Sequence, residues 1–469
     1  MIHATLVICV GNVMDDDMLG GFMSIFELHC CRESDANKEI FFYNNETSEL
    51  LDRDHKEVEV KLSSGGSMIS HPCNHEFLHV GPSIPGRKSE LDTHTVKILM
   101  GTHCNNSCKY CVQDISSSVD CMAIPVDKLI EFIPTSTRLI HFWGGEPLLY
   151  WDILKPLAEG IRSKLPETAF YTSTNGHLLD YDKNSWLESL GFCVGLSHDG
   201  PGQWLRGKDP LQDDYLHGVI QDLFNRLSDR NRFSFNPTLT KQNSSRREIE
   251  EFFVNEIGHY NFNLGEGTLF HPSLPKHKEF CFTSHPERIQ YRLSMLSELR
   301  SNLASKFNYV SERTGTFVQS IYYRRNWESL GFCCGIGSEG LLIFDVAGNV
   351  LTCQNVCSYD INDDGYSHII GNINNLAGVR LNTVTEWWYR DICRKCPVLQ
   401  LCAGGCAITP NSVWSDMCNN NFCDFIAFFA HSIEKITGYL PYYIKGNQPD
   451  DRKDIFDIIA NGEEDHIFV

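Results

Sequence analysis

The chain has 469 residues, 42% of them hydrophobic and 21% charged, with a formal net charge of −20. That length suits two or three domains around a large core, and the composition is that of a soluble globular protein. The acidic balance argues against a nucleic-acid partner held by phosphate contacts, and no run approaches the ~18 apolar residues that a membrane span needs. Residues 1–13 are apolar but lack the basic start and small-residue cleavage site of a secretory signal. The 20 cysteines therefore read as metal ligands in a reducing cytoplasm rather than as disulfides. Cys30, Cys31, Cys73, Cys121 and Cys193 fit no ligand pattern and read as small buried hydrophobes.

In chain order, strand-like stretches at 4–10, 24–30, 39–43 and 57–62 are separated by polar turns, at Asn44-Asn45 and at 63–66. They predict a small strand-rich domain over 1–94, with no catalytic motif and a Pro/Gly linker at 82–94. From residue 95 the pattern becomes strands alternating with helices. Strands are predicted at 96–100, 138–143, 169–173, 193–197, 232–238 and 262–269, and helices at 126–132, 151–164, 183–190, 213–227 and 246–257. This makes about six β/α units over 95–275, with polar signatures at the C-terminal strand ends, where barrel enzymes place their sites. Long helices over 284–326 form a bridge within 276–332, and Ser284 with Glu287 has the spacing of a capping box. A cysteine-rich module follows at 333–425. Residues 426–469 read as a C-terminal helix and an acidic tail, loosely docked from 447 onward.

The first cysteine cluster is Cys104, Cys108 and Cys111, a C-x3-C-x2-C run in a loop after the first β/α strand. Three thiolates from one loop suit a four-iron cluster with one iron left without a protein ligand. A structural zinc site would want a fourth Cys or His, and His103 is too close to Cys104 in sequence to converge with it easily. Two glycines in Gly144-Gly145-Glu146-Pro147 let backbone approach a ligand closely. Thr174-Asn175-Gly176 and Ser197-His198-Asp199-Gly200-Pro201 close the next two strands. Asp199 reads equally well as an ordinary turn residue before glycine. The second cluster is Cys334, then Cys353 five residues after Gly348, then Cys393, Cys396, Cys402 and Cys406 in C-x2-C-x5-C-x3-C spacing, then Cys423. Zinc ribbons are the alternative for its C-x2-C pair.

The triplet, with Tyr110 before its last cysteine, resembles the radical S-adenosylmethionine (SAM) superfamily, and the C-terminal cysteines resemble that family's SPASM module. The resemblance implies an α/β fold: a partial (β/α)6 TIM-like barrel, open on one side, with a β-rich N-terminal domain and a C-terminal SPASM iron–sulfur domain. It implies three [4Fe-4S] clusters and SAM as cofactors. The open iron would chelate SAM, whose reductive cleavage gives a 5′-deoxyadenosyl radical that abstracts hydrogen from a substrate. Tyr110, Gly144, Gly145, Glu146, Pro147, Asn175, Ser197 and Asp199 would lie around SAM, and Arg206 would fork onto its carboxylate. Cys393, Cys396, Cys402 and Cys423 would hold the outer auxiliary cluster. Cys334, Cys353 and Cys406 would hold the inner one, with Cys357 or Cys333 as a fourth ligand or none.

By the same resemblance the substrate is a peptide or protein. Formylglycine-forming relatives carry an Asp base directly after the cysteine that matches Cys353. Here Gln354 stands there, and glutamine takes no proton at neutral pH. The expectation is therefore a cytoplasmic oxidoreductase that crosslinks a ribosomally made precursor peptide, like the darobactin-type and cyclophane-forming maturases. The alternatives are sulfatase maturation and, from another class, a non-catalytic iron–sulfur electron-transfer protein. The implied partners are a precursor peptide with a leader, bound by the N-terminal domain, and a flavodoxin or ferredoxin as reductant. No residue is identified as the catalytic base.

Overall fold

The computed structural model describes residues 25–32, 35–61, 93–113, 123–258, 262–265, 269–301, 307–332, 334–338, 340–361, 365, 367–378, 387 and 390–457. The expected strand at 4–10, the 63–66 turn and most of the 82–94 linker lie outside them.

Among the described residues the chain starts with strands β1 (Ile25–Arg32), β2 (Asp35–Asn44) and β3 (Glu49–Leu51). Strand β4 (Thr95–Leu99) follows, then α1 (Val126–Phe132), β5 (Leu139–Trp143), α2 (Trp151–Lys164), β6 (Ala169–Thr174), α3 (Tyr181–Ser189), β7 (Phe192–Leu196), α4 (Asp214–Leu227), β8 (Phe233–Phe235), α5 (Arg246–Ile257) and β9 (Asn263–Leu264). Helices α6 (His285–Arg300) and α7 (Asn308–Tyr322) precede β10 (Leu341–Asp345), β11 (Asn349–Leu351) and β12 (Ile369–Asn372). Short helices α8 (Asp391–Arg394) and α9 (Leu399–Cys402), the long α10 (Asn411–Thr437) and β13 (Leu440–Lys445) complete the order.

The sequence places the helix ends through their caps. Asp213 accepts from the Leu216 amide and Ser245 from the Glu248 amide, which satisfies amides that have no partner within the helix. Gly258 and Gly438 end α5 and α10 in the left-handed conformation. The capping box at Ser284 and Glu287 forms with both of its bonds. The expected strand at 262–269 shrinks to β9 plus a single bridge between Leu239 and Leu269.

Strands β4 to β9 lie side by side and parallel, in sequence order. These are the six predicted units. β10 extends the same sheet, parallel to β4, and β11 and β12 follow antiparallel. The result is an α/β protein with a nine-stranded mixed sheet. One sheet face is apolar: Val96, Ile98, Ile140, Phe142 and Phe170 join the core that includes Leu129, Leu154, Leu157 and Ile161 of the covering helices. A parallel sheet normally buries apolar side chains on both faces. Here the alternate positions Lys97, His141 and Tyr171, which stand in register across β4, β5 and β6, are polar.

Two domain expectations need correction. The N-terminal strands are not a self-contained unit over 1–94: β13 pairs antiparallel with β1, giving the sheet order β13-β1-β2-β3. Alternation along β1 points Phe26, Leu28 and Cys30 to one buried face, and α10 helps to cover it, with Tyr43 against Phe429. Asn45, after β2, donates to the Cys396 carbonyl at 2.8 Å and accepts through its own carbonyl from Gln400. The expected strand at 57–62 reduces to one bridge between Glu57 and Leu51. Nor does the chain break at 425/426, because α10 runs across it. The tail is docked as far as it is described: Ile455 and Phe456 are buried, and the Ile455 amide bonds the Tyr442 carbonyl.

One buried ionic network joins the helices. Arg246 of α5 donates to both oxygens of Asp424 in α10, at 3.0 and 3.2 Å. Tyr291 of α6 and Tyr309 of α7 donate to the same carboxylate. Burial alone would disfavour these charges, but four donor contacts compensate the carboxylate. No helix among the described residues is long and apolar enough to cross a membrane.

Candidate functional site

The loop with Cys104, Cys108 and Cys111 leaves β4 at its C-terminal end and is clamped by the turn after β5. The Gly145 amide donates to the Gly101 carbonyl at 3.0 Å, and the Glu146 amide to the His103 carbonyl at 2.9 Å. A β-carbon on Gly144 would stand 2.5 Å from the Gly101 carbonyl oxygen, and one on Gly145 2.3 Å from that of His103. The close approach that the two glycines permit is thus, first of all, to the cysteine loop itself. Glu146 is buried. It accepts from the Leu148 amide after Pro147, from the Thr174 hydroxyl and from the Asn175 amide. Burial pushes its carboxyl up to about 7, against those three hydrogen bonds. Asn175 in turn donates to Asn105 at 2.7 Å and stands 3.7 Å from the Cys104 sulfur.

The three thiols form one electrostatic group. Burial pushes Cys108 up to about 11; the Arg206 charge opposes this, while Cys111, Asp199 and Cys104 add to it. Cys104 and Cys111 are raised as well, chiefly by burial. Cys104 is exposed and the other two are partly covered, so the group opens to one side.

Asp199 and Arg206 hold the loop from below. Asp199 accepts from Arg206 Nε and the Thr238 amide, both at 2.8 Å, and from the Tyr110 hydroxyl. The Arg206 guanidinium lies over the Tyr110 ring. Arg206, expected to fork onto a ligand carboxylate, is instead paired with a buried carboxylate of its own chain. Tyr110 is likewise a buried anchor of the loop. Ser197 ends β7 half-buried, its amide bonded to the Thr174 carbonyl. His198 accepts from the Gly200 amide at Nδ1, so its Nε2 carries the proton that Asp209 receives at 2.9 Å.

Sequence reading missed the polar sheet face. Lys97 donates to the Gln354 side chain at 2.5 Å, Gln113 at the end of the cysteine loop donates to the Gln354 carbonyl, and Asn236 donates to Tyr171. His141 sits edge-on to Tyr171 and Trp143. This face links the cysteine loop to Cys353. The signal was present: a lysine and a histidine alternate with valine, isoleucine and phenylalanine in strands that otherwise read as buried.

Of the inner auxiliary set, Cys334, Cys353 and Cys406 come together: the Cys353 thiol is raised chiefly by burial, then by Cys334 and Cys406. Cys357 lies in the same buried cluster as Cys353, its amide bonded to Asp360. Cys333 lies outside the described residues. Cys393, Cys396 and Cys402 line one small cavity together with Cys418, Trp414, Met417, Phe422 and Arg452. Burial pushes Cys393 up to about 12 and Cys396 to about 11. Cys423, expected as an outer ligand, does not line this cavity. It is buried on another side of α10, where Arg292 of α6 points at its sulfur from 3.9 Å. Among the described residues no group of His, Cys, Asp or Glu is gathered closely enough to hold a single metal ion. A four-iron cube spreads its thiolates over separate corners, so the three-thiol loop and the four-thiol cavity still suit such clusters by donor type and number.

No protein-family model matches the chain, and no curated protein matches it. Solved structures do. The chain is similar to anSMEcpe with bound AdoMet, at 17% identity and a TM-score of 0.52 over 74% of this chain and 99% of that one. The same protein with bound AdoMet and Kp18Cys peptide aligns at 18% identity and 0.51, over 73% and 99%. SuiB of Streptococcus suis bound to precursor peptide SuiA aligns at 14% identity and 0.43, over 68% and 72%. The likeness is one of fold: nearly the whole of anSMEcpe aligns with about three quarters of this chain.

Proposed function

We propose that the chain is a radical SAM/SPASM peptide maturase, which abstracts hydrogen from a precursor peptide and forms a side-chain crosslink. The observation that carries this reading is the open three-thiol loop at the C-terminal ends of parallel strands, clamped by Gly144-Gly145-Glu146. Cys104, Cys108 and Cys111 would hold a [4Fe-4S] cluster, which supplies the electron that cleaves SAM. Asn175 and Ser197 end neighbouring strands beside the loop, where they would position SAM. Asp199, Arg206 and Tyr110 fix the loop in place. The nine-stranded sheet is read as the open barrel, and the C-terminal cysteines as holders of two auxiliary clusters that take up the electron left on the substrate. The reductant would be a flavodoxin or ferredoxin.

Lys97, His141 and Tyr171 face the region between the loop and Cys353, where they would meet the substrate and accept or hold its proton. Gln354 weighs against formylglycine formation, because it is bonded to Lys97 and has no basic site. A leader peptide would add to the N-terminal sheet as a further strand. Deleting that sheet is no test of this, because Asn45 and Tyr43 brace the C-terminal half. A photoreactive precursor should instead label residues 25–61.

The central test is anaerobic incubation of the reduced, reconstituted protein with SAM. Formation of 5′-deoxyadenosine is expected; its absence at full iron loading would leave an electron-transfer protein as the better reading.

A further inference from the structure

We infer that the fourth thiolate of the outer cysteine site is Cys418, in place of Cys423, a deepening that rests on the cluster reading above. Both cysteines lie on α10, five residues apart. Of the two, only Cys418 lines the cavity with Cys393, Cys396 and Cys402. The side that faces Cys393, Cys396 and Cys402 carries Trp414, Met417, Cys418 and Phe422, all in the lining of the same cavity. These positions recur at the three- and four-residue spacing of a single helix face.

The surroundings of the two sulfurs differ in kind. Cys418 is partly accessible from the cavity, and Arg452 donates to its sulfur at 3.3 Å and to Asn419 at 3.0 Å. A guanidinium donor against a sulfur is the kind of outer contact that orients a metal-binding thiolate. Asn421, on the same helix, points its amide at the sulfur of Cys402 from 3.8 Å. The cavity therefore holds four thiols with nitrogen donors on at least three of them, Cys396, Cys402 and Cys418, the usual surroundings of a cluster's sulfurs. Cys423 is fully buried, with Arg292 pointing at its sulfur from 3.9 Å and the charges of Arg288 and Arg452 also acting on it. It acts as a core residue at the α10–α6 contact. Cys418 would hold one iron of the cluster as a thiolate, its proton released to solvent.

The test uses the full chain with alanine at Cys104, Cys108 and Cys111, reconstituted anaerobically with iron and sulfide, so that the remaining iron belongs to the C-terminal cysteines. Iron content and the Mössbauer and EPR spectra are the readouts. In this background Cys418→Ala should lose about four irons per chain, or fall to a three-iron cluster, while Cys423→Ala keeps the parent iron and spectrum. Full iron with an unchanged spectrum in Cys418→Ala would overturn the proposal. If both variants lose iron, Cys423→Val, which keeps the apolar bulk, decides: restored iron supports Cys418, and continued loss assigns the ligand to Cys423. A parent that takes up zinc but no iron sinks the cluster reading and this proposal with it, and is recognised before either variant is made.

Discussion

The cysteine loop after β4 and the cysteine cavity beside α10 use the same side chain for opposite ends. In the loop, three thiols stand at strand ends with one side open, and Cys104 is exposed. The loop is held from two sides, by the glycine clamps above and by the Asp199–Arg206 pair through Tyr110 below. In the cavity, four thiols surround a small enclosed space under Trp414 and Phe422. A site with an unfilled position can bind and activate a ligand; a site whose positions are all filled by protein can only store charge or hold the fold. Thiol count and exposure, rather than residue type, separate the two roles proposed above.

The strongest way to break this contrast is to empty each site in turn. The Cys104→Ala/Cys108→Ala/Cys111→Ala variant should lose about four irons and all detectable 5′-deoxyadenosine. Cys393→Ala/Cys396→Ala should lose a similar amount of iron yet still cleave SAM when no substrate is present. Iron analysis and product chromatography on the two proteins check this directly. Equal loss of cleavage in both would mean that the sites are not independent.

The two regions were not equally legible in the sequence. The six parallel strands follow from local patterns, and α1, α2 and α5 have the predicted bounds, whereas Gly144 and Gly145, expected to admit a ligand, close on the cysteine loop itself. The C-terminal half depends on contacts distant in sequence. Nothing local to residues 440–445 says that they complete a sheet begun at residue 25. The resemblance gave Cys423 as an outer ligand, and a pattern of cysteines does not report which helix face meets the cavity that Cys418 lines. The resemblance placed Arg206 at a ligand carboxylate, and nothing local to residues 199–206 says that it pairs with Asp199.

The two halves are joined by the Arg246–Asp424 network, and removing one partner tests how far they fold as one. Asp424→Ala leaves a buried guanidinium without its counter-charge, which typically costs about 3–5 kcal/mol. The metal-free variant should show a lower denaturant midpoint, with the loss seen in both halves together. Asp424→Asn should lose less, since it still accepts hydrogen bonds. Two separated transitions in the variant would show that the regions are independent folding units.

Glu146 sharpens the contrast through pH. Its folded carboxyl holds a proton up to about pH 7, whereas the ordinary value is 4.5. The stability that this gives is fully present below 4.5 and is lost as pH rises through about 7. The Glu146→Gln variant carries an amide that mimics the protonated carboxyl at every pH. Metal-free wild type should therefore lose stability relative to Glu146→Gln between about pH 5 and 8, as read from denaturation midpoints. A difference that is flat with pH would place the carboxyl's titration elsewhere.

The smallest effect concerns Arg452. Its guanidinium donates to Cys418 at 3.3 Å and lies over the Phe422 ring. Hydrogen bonds and positive charge near cluster sulfurs favour the reduced, more negative state and so raise the reduction potential. Arg452→Met keeps the apolar stem but removes both the donor and the charge. The iron content should stay unchanged, while the midpoint potential of the outer cluster falls by on the order of tens of millivolts. An EPR-monitored redox titration resolves this in the background that lacks the loop cysteines. The same substitution should leave the loop cluster's potential and the yield of 5′-deoxyadenosine where they were, because Arg206, not Arg452, is the cation beside those thiols. A shift in the loop cluster instead would mean that the closed site is electrically coupled to the open one, and the division of roles between them would have to be redrawn.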